Sequence, residues 1–138
     1  MEDEAQIKST VLDYFEGWFD GDATRMERAL HPALAKRSLA DDALGLDSDS
    51  AQEMIDATAE GHGKRRDPGK REIEVHVVEV CEEIATVVVH SNVYREYLHL
   101  ARTREGWKIV NALWRWTPEG LEVRAAARQA AASGHSAT

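Results

Sequence analysis

A single cysteine, Cys81, stands among the 138 residues, alongside three prolines and two phenylalanines. One thiol cannot close an internal disulfide and is too few for a cysteine-built zinc site. No apolar run approaches the length of a membrane span. The first residues, MEDEAQIK, lack the basic and apolar regions of a signal peptide, so a cytoplasmic setting is expected. Positive charge is also short: 17 basic against 25 acidic residues give a net charge of −8. Nucleic acid and anionic membrane both need a cationic footprint, and neither is expected as a partner. The basic residues Lys64, Arg65, Arg66, Lys70 and Arg71 flank Pro68-Gly69 and read as a solvated loop. There is no Gly-rich phosphate loop, no GxSxG and no RNA-binding aromatic signature. His62, His90 and His135 lack ligand spacing such as HxxxH or HExxH, so no metal or other cofactor is expected.

What is present is periodicity of two kinds. Residues 3–20 carry Ile7, Val11, Tyr14 and Trp18 on one helical face, widened by Leu12, Phe15 and Phe19, with Ser9, Asp13, Glu16 and Gly17 opposite. Gly21 ends this helix, and Asp22 caps a short second one that His31-Pro32 stops. Residues 33–40 read as a short strand or as irregular chain, and Asp41–Asp49 as an acidic loop. Ser50 and Glu53 form a capping-box signature for a third helix over 51–60, whose apolar side holds Met54 and Ile55. From Arg71 the period becomes two, predicting four consecutive antiparallel strands over 71–81, 84–92, 93–103 and 107–117. The tail, 119–138, is an Ala-rich extension with a helix over 119–132 and a frayed end, following a domain over 1–118. Helices first and strands later is an α+β pattern.

The last hairpin is rich in aromatics: Tyr94, Tyr97, Trp107, Trp114 and Trp116. A two-residue loop would pair Arg104 with Trp107 and set Tyr97 opposite Trp114. A three-residue loop with Gly106 in a bulge would pair Thr103 with Trp107 and set His99 opposite Asn111. The bulged loop is preferred because Gly106 then falls where positive φ is needed. Glu96 and Arg115 read as a cross-strand ion pair, and Cys81, among Glu79, Glu82 and Glu83, as an unreactive thiol.

Three stretches, YFEGWFDGDATRMERALHP, IATVVV and YLHLARTREGWKIVNALW, resemble the NTF2-like (SnoaL-like) superfamily, nearest its lumazine-binding group, over roughly Ala5 to Thr117. The resemblance implies a cone-shaped α+β barrel, with N-terminal helices packed on a strongly curved antiparallel sheet. It also implies a pocket between helices and sheet, and a homodimer formed through the outer sheet face. That superfamily holds isomerases, dehydratases, epoxide hydrolases and polyketide cyclases beside many non-enzymatic domains. Its enzymes commonly place an Asp or a His–Asp pair in the pocket, whereas the last strand here, IVNALWRW, has no Asp.

Three functions follow as expectations. The preferred one is a small-molecule-binding protein whose aromatic pocket uses Tyr14, Trp18, Met54, Ile55, Tyr97, His99, Asn111 and Trp114. The second is an isomerase, dehydratase or cyclase with His99 or His31 as base and Tyr14 or Tyr97 as proton donor. The third is a non-catalytic interaction domain, in which the aromatic face is an interface and Tyr14 and Trp18 are plain core.

Overall fold

In the computed structural model, which describes residues 2–39 and 45–136, helix α1 (Glu2–Asp20) lies across one face of a six-stranded sheet. Its first turn carries Glu2, Asp3 and Glu4, where negative charge complements the helix dipole. Ile7, Val11, Tyr14, Phe15 and Phe19 form its buried stripe and join one core with Val87, Val89, Leu98, Leu100 and Ile109 of the sheet. Gly21 leaves the helix at φ 69°, and Asp22 caps α2 (Ala23–Ala29) by accepting from the Arg25 N–H at 3.1 Å.

Asp13 departs from expectation. It is buried between α1 and α2, where Arg28 binds both its oxygens and Arg25 donates to Oδ1 at 2.9 Å. Burial disfavours its charge, but the two guanidiniums outweigh that and hold the carboxyl below its ordinary value.

The strands are β1 (Leu30–Leu39), β2 (Leu46–Asp49), β3 (Ile73–Cys81), β4 (Ile84–Ser91), β5 (Tyr94–Thr103) and β6 (Gly106–Trp116), ordered β2-β1-β6-β5-β4-β3. The α+β class and the helix-on-sheet packing are as expected. Two details differ. The chain over 30–39 is a full strand running parallel to β6, so the sheet is mixed, and it stays open with β2 and β3 as edges. Pro32 fits inside β1 because the register with β6 breaks between Leu30 and Ala35. Part of the expected acidic loop is strand β2; residues 40–44 lie outside the described ones.

Helix α3 (Ala51–Ala59) opens with the expected capping box, Ser50 and Glu53 bonding reciprocally. A 3-10 turn (Lys64–Arg66) then passes so close to α1 that a β-carbon at Gly63 would run into the Trp18 carbonyl. The basic loop is tied down, with Arg71 bonding Asp67 and Asp20 at 2.7 and 2.8 Å.

The β5–β6 hairpin follows neither expected register throughout. Its loop is Arg104-Glu105, with Thr103 opposite Gly106 (φ 102°) and Arg102 opposite Trp107. A shift between Leu100 and His99 leaves Val110 unpaired and restores His99 opposite Asn111. Helix α4 (Pro118–Ser136) starts on a Thr117 cap that accepts from the Gly120 N–H at 2.9 Å, and it packs on β6 and the 3-10 turn. It outruns the expected 119–132 at both ends; residues 137 and 138 lie outside the described ones.

Candidate functional site

Strand alternation decides which side chains reach the interior. On β5, Tyr94, Glu96, Leu98 and Leu100 point in, while Tyr97 and His99 point out. On β1, Leu34, Lys36 and Ser38 point in. Between this sheet face and the helices lies a cavity of about 320 Å³. Helix α1 contributes Tyr14, Phe15 and Trp18 to it, and α3 contributes Met54 and Ala57. The sheet supplies Lys36, Asp49, Tyr94, Glu96, Trp114 and Trp116, with His62 and Arg66 from the segment after α3.

One wall is an aromatic cluster. Tyr94 lies 5.4 Å from Trp114 and 5.0 Å from Trp116, ring centre to ring centre, and the two tryptophans are 5.3 Å apart. Trp18 donates its indole N–H to the Tyr94 hydroxyl at 2.9 Å, which fixes the α1 side of this wall to the sheet.

The polar groups converge on one point. Lys36 Nζ donates to the Tyr14 hydroxyl, which in turn donates to Glu96 Oε1 at 2.8 Å. All three are buried, at 6%, 2% and 3% exposure. The Lys36 ammonium also sits 4.8 Å from the centre of the Tyr14 ring and 5.5 Å from that of Trp114. Burial pushes the Glu96 carboxyl above its ordinary range, more than the Lys36 charge and the Tyr14 hydrogen bond pull it back. Burial likewise pushes Lys36 below its ordinary range, against the pull of Glu96 and Asp49. Burial and then the Glu96 charge drive the Tyr14 phenol well up, so it stays protonated. Both shifts favour the neutral members of the Lys36–Glu96 couple, with Tyr14 between them as the hydroxyl that links donor to acceptor. Such a floor can hold a polar ligand atom or exchange a proton with it.

Of the residues singled out from sequence, Tyr14, Trp18, Met54 and Trp114 line the cavity. Ile55 packs against the core instead. Tyr97, half exposed, and His99 and Asn111, both exposed, lie on the outer face, because β5 turns its even-numbered residues inward. His99 and Asn111 do hydrogen-bond, at 3.1 Å, but beside a separate outer depression that Cys81, Ile84 and Thr86 also line. His31 is at the start of β1, where its Nδ1 accepts from the Ala33 N–H, and it is not part of the cavity wall. The expected Glu96–Arg115 pair does not form: Arg115 faces Arg95 in the register, and Glu96 is internal.

Lys36 and Glu96 are thus the functional candidates that sequence reasoning passed over. The signal was available, since both alternate with inward-turning neighbours (Leu34 and Ser38 for Lys36; Tyr94 and Leu98 for Glu96). Arg66, taken for a solvated residue, lies 5.7 Å from the centre of the Trp116 ring at the cavity.

Comparison with known proteins agrees with this architecture. Residues 2–115 match the family described as "Putative lumazine-binding". No curated protein matches the chain. Among solved structures, an NTF2-like protein of unknown function from Silicibacter pomeroyi superposes with a TM-score of 0.67 at 16% identity, over 84% of this chain and 97% of that one. An NTF2-like protein of unknown function from Shewanella baltica gives 0.67 at 14% identity, over 85% and 95% of the two chains. A ketosteroid isomerase-like protein from Erwinia carotovora gives 0.61 at 13%, over 83% and 96%. At these identities the structural likeness shows the fold. With the family match over most of its length, the chain belongs to the family described as "Putative lumazine-binding", and its fold is NTF2-like.

Proposed function

We propose that this protein binds a small, planar ring compound in the cavity between α1 and the sheet. The observation that carries this reading is the combination of one aromatic wall with one polar floor: Tyr94, Trp114 and Trp116 face a volume whose base is Lys36–Tyr14–Glu96. Its volume of about 320 Å³ is near the lower end of ligand sites, which run from about 300 to 1,000 Å³, so the ligand is a compact ring system. Rings stack on the wall, and a carbonyl or ring nitrogen reaches the floor. The family's name makes lumazine and related bicyclic heterocycles the first compounds to try. Titration of tryptophan fluorescence with such a panel, alongside native mass spectrometry of freshly purified protein, tests the reading. Quenching that saturates and is lost in Trp114→Ala supports it; a panel that leaves both proteins unquenched, together with protein that carries no added mass, overturns it.

A second reading is favoured by Glu96. A buried carboxyl with a raised pKa, hydrogen-bonded to a protonated phenol, is a suitable acid or base for isomerisation or dehydration. In this version Glu96 takes the role of base first given to His99 or His31, and Tyr14 keeps that of proton donor. Turnover that disappears in Glu96→Gln while ligand still quenches fluorescence would select it.

We also infer a homodimer through the outer sheet face, supported by the half-exposed Tyr97 and Leu113 side by side on β5 and β6. No helix among the described residues is long and apolar enough to cross a membrane. An exposed free thiol at Cys81 suits a reducing compartment, which favours the cytoplasm.

A further inference from the structure

On the outer face of the sheet, away from the cavity, we propose a metal site for a divalent cation of the zinc type, formed by Glu74, His76 and His90. Glu74 and His76 are two residues apart on β3 and therefore project from the same face. His90 is directly opposite Glu74 on β4, so all three side chains stand on one patch. One ligand atom from each comes within 4.8 Å of the others.

The donors suit such an ion. Two imidazoles and one carboxylate are a common three-residue zinc set, leaving a fourth position for water. Around an ion bound at about 2.0–2.2 Å, neighbouring donors stand roughly 3.3–3.6 Å apart. His76 Nε2 and Glu74 Oε2 already lie 3.4 Å apart. The His76 and His90 rings meet edge to face, with centres 4.9 Å apart, so a small rotation of exposed side chains closes the third corner. Glu74 and His76 are more than half exposed, and that rotation meets little packing. Glu74 also supplies the negative charge that the site needs beside Arg95, the β5 residue in register with His90. Linear spacing missed the trio because the third ligand comes from the neighbouring strand.

The test uses tag-free full-length protein stripped with a chelator, then titrated with zinc by calorimetry and with cobalt by visible absorption. We expect one ion per chain and the intense visible bands of a low-coordinate cobalt site. His76→Ala and His90→Ala should each weaken binding by at least about tenfold, since even the outer partners of metal ligands are worth that much. His31→Ala, a histidine on β1 outside the trio, should titrate as the parent. All these positions are at least partly exposed, so unchanged circular dichroism is expected and separates lost binding from lost fold. No zinc uptake by the parent up to about millimolar concentration, or uptake unaltered in both trio variants, overturns the proposal. Neither result bears on the cavity, which shares no residue with this patch.

Discussion

Tyr14 of α1 and Glu96 of β5, 82 positions apart in sequence, meet in a buried hydrogen bond of 2.8 Å, and Lys36 reaches the same phenolic oxygen from β1. Three elements thus share one polar contact in the buried interior. Removing the central phenol takes this contact from both of the others.

That coupling is measurable. Lys36→Met and Glu96→Gln should each destabilise the fold by about 1–3 kcal/mol, because each takes away the attraction that partly offsets burial of the opposite group. The double variant should lose clearly less than the sum of the two. Urea denaturation of the four proteins in the cycle provides the comparison, and strict additivity would rule out the coupling.

The pH dependence follows from the direction of the Glu96 shift. Its carboxyl holds a proton more tightly when folded than when unfolded. It therefore contributes stability that is fully present below the unfolded value and is lost as pH rises through the folded one. Glu96→Gln, which cannot ionise, should remove that decline from a plot of unfolding free energy against pH.

Asp13 should behave in the opposite sense. The Arg28 and Arg25 guanidiniums overcome the effect of burial and lower its folded pKa. Its contribution is present above the unfolded value, near 3.8, and is lost as pH falls through the folded one. In Asp13→Asn, the melting temperature should fall by several degrees at neutral pH and depend less on acid than in the parent. Thermal melts across the acid range would show this.

Gly63→Ala should cost about 1–3 kcal/mol, since the new methyl meets backbone, the Trp18 carbonyl, rather than a side chain able to turn aside. Melting curves give the loss. Because Arg66 and His62 flank this glycine and line the cavity, ligand quenching should weaken as well.

On the outer face, Tyr97→Lys with Leu113→Lys should convert the inferred dimer to monomer in sedimentation velocity. His99→Gln should leave cavity binding unchanged, as its side chain is on the other side of the sheet. A ligand affinity that falls in His99→Gln would reopen the question of which face binds.

Much of this architecture could be read from residues alone. The stripe Ile7–Val11–Tyr14–Trp18 and the capping box at Ser50 are local signals with local causes, and both appear in the structure. The period-two stretches identified the four consecutive strands β3 to β6 to within a few residues. What sequence did not supply is non-local. The parallel pairing of β1 with β6 joins segments some 75 residues apart (Lys36 pairs with Ala112). The unpaired Val110 also leaves no mark in composition, although it brings His99 back opposite Asn111. Half of the cavity wall was legible as aromatics on amphipathic faces. Its floor was not, because a glutamate or lysine in a strand is usually solvated, and only the alternation with inward neighbours says otherwise.

The parallel contact between β1 and β6 also bears on the order of assembly. Lys36 is made early by the ribosome, yet the strand that flanks it, with Trp114 on its inner face, is among the last segments to emerge. Until that strand arrives, the lysine has only its hairpin neighbour Asp49 on β2 and lacks both the β6 side of the sheet and the aromatic wall. The cavity therefore closes only when the two ends of the domain meet. Any ligand that requires the finished floor will engage after synthesis of the domain is nearly complete, and a truncation within β6 should abolish binding even where the helices survive.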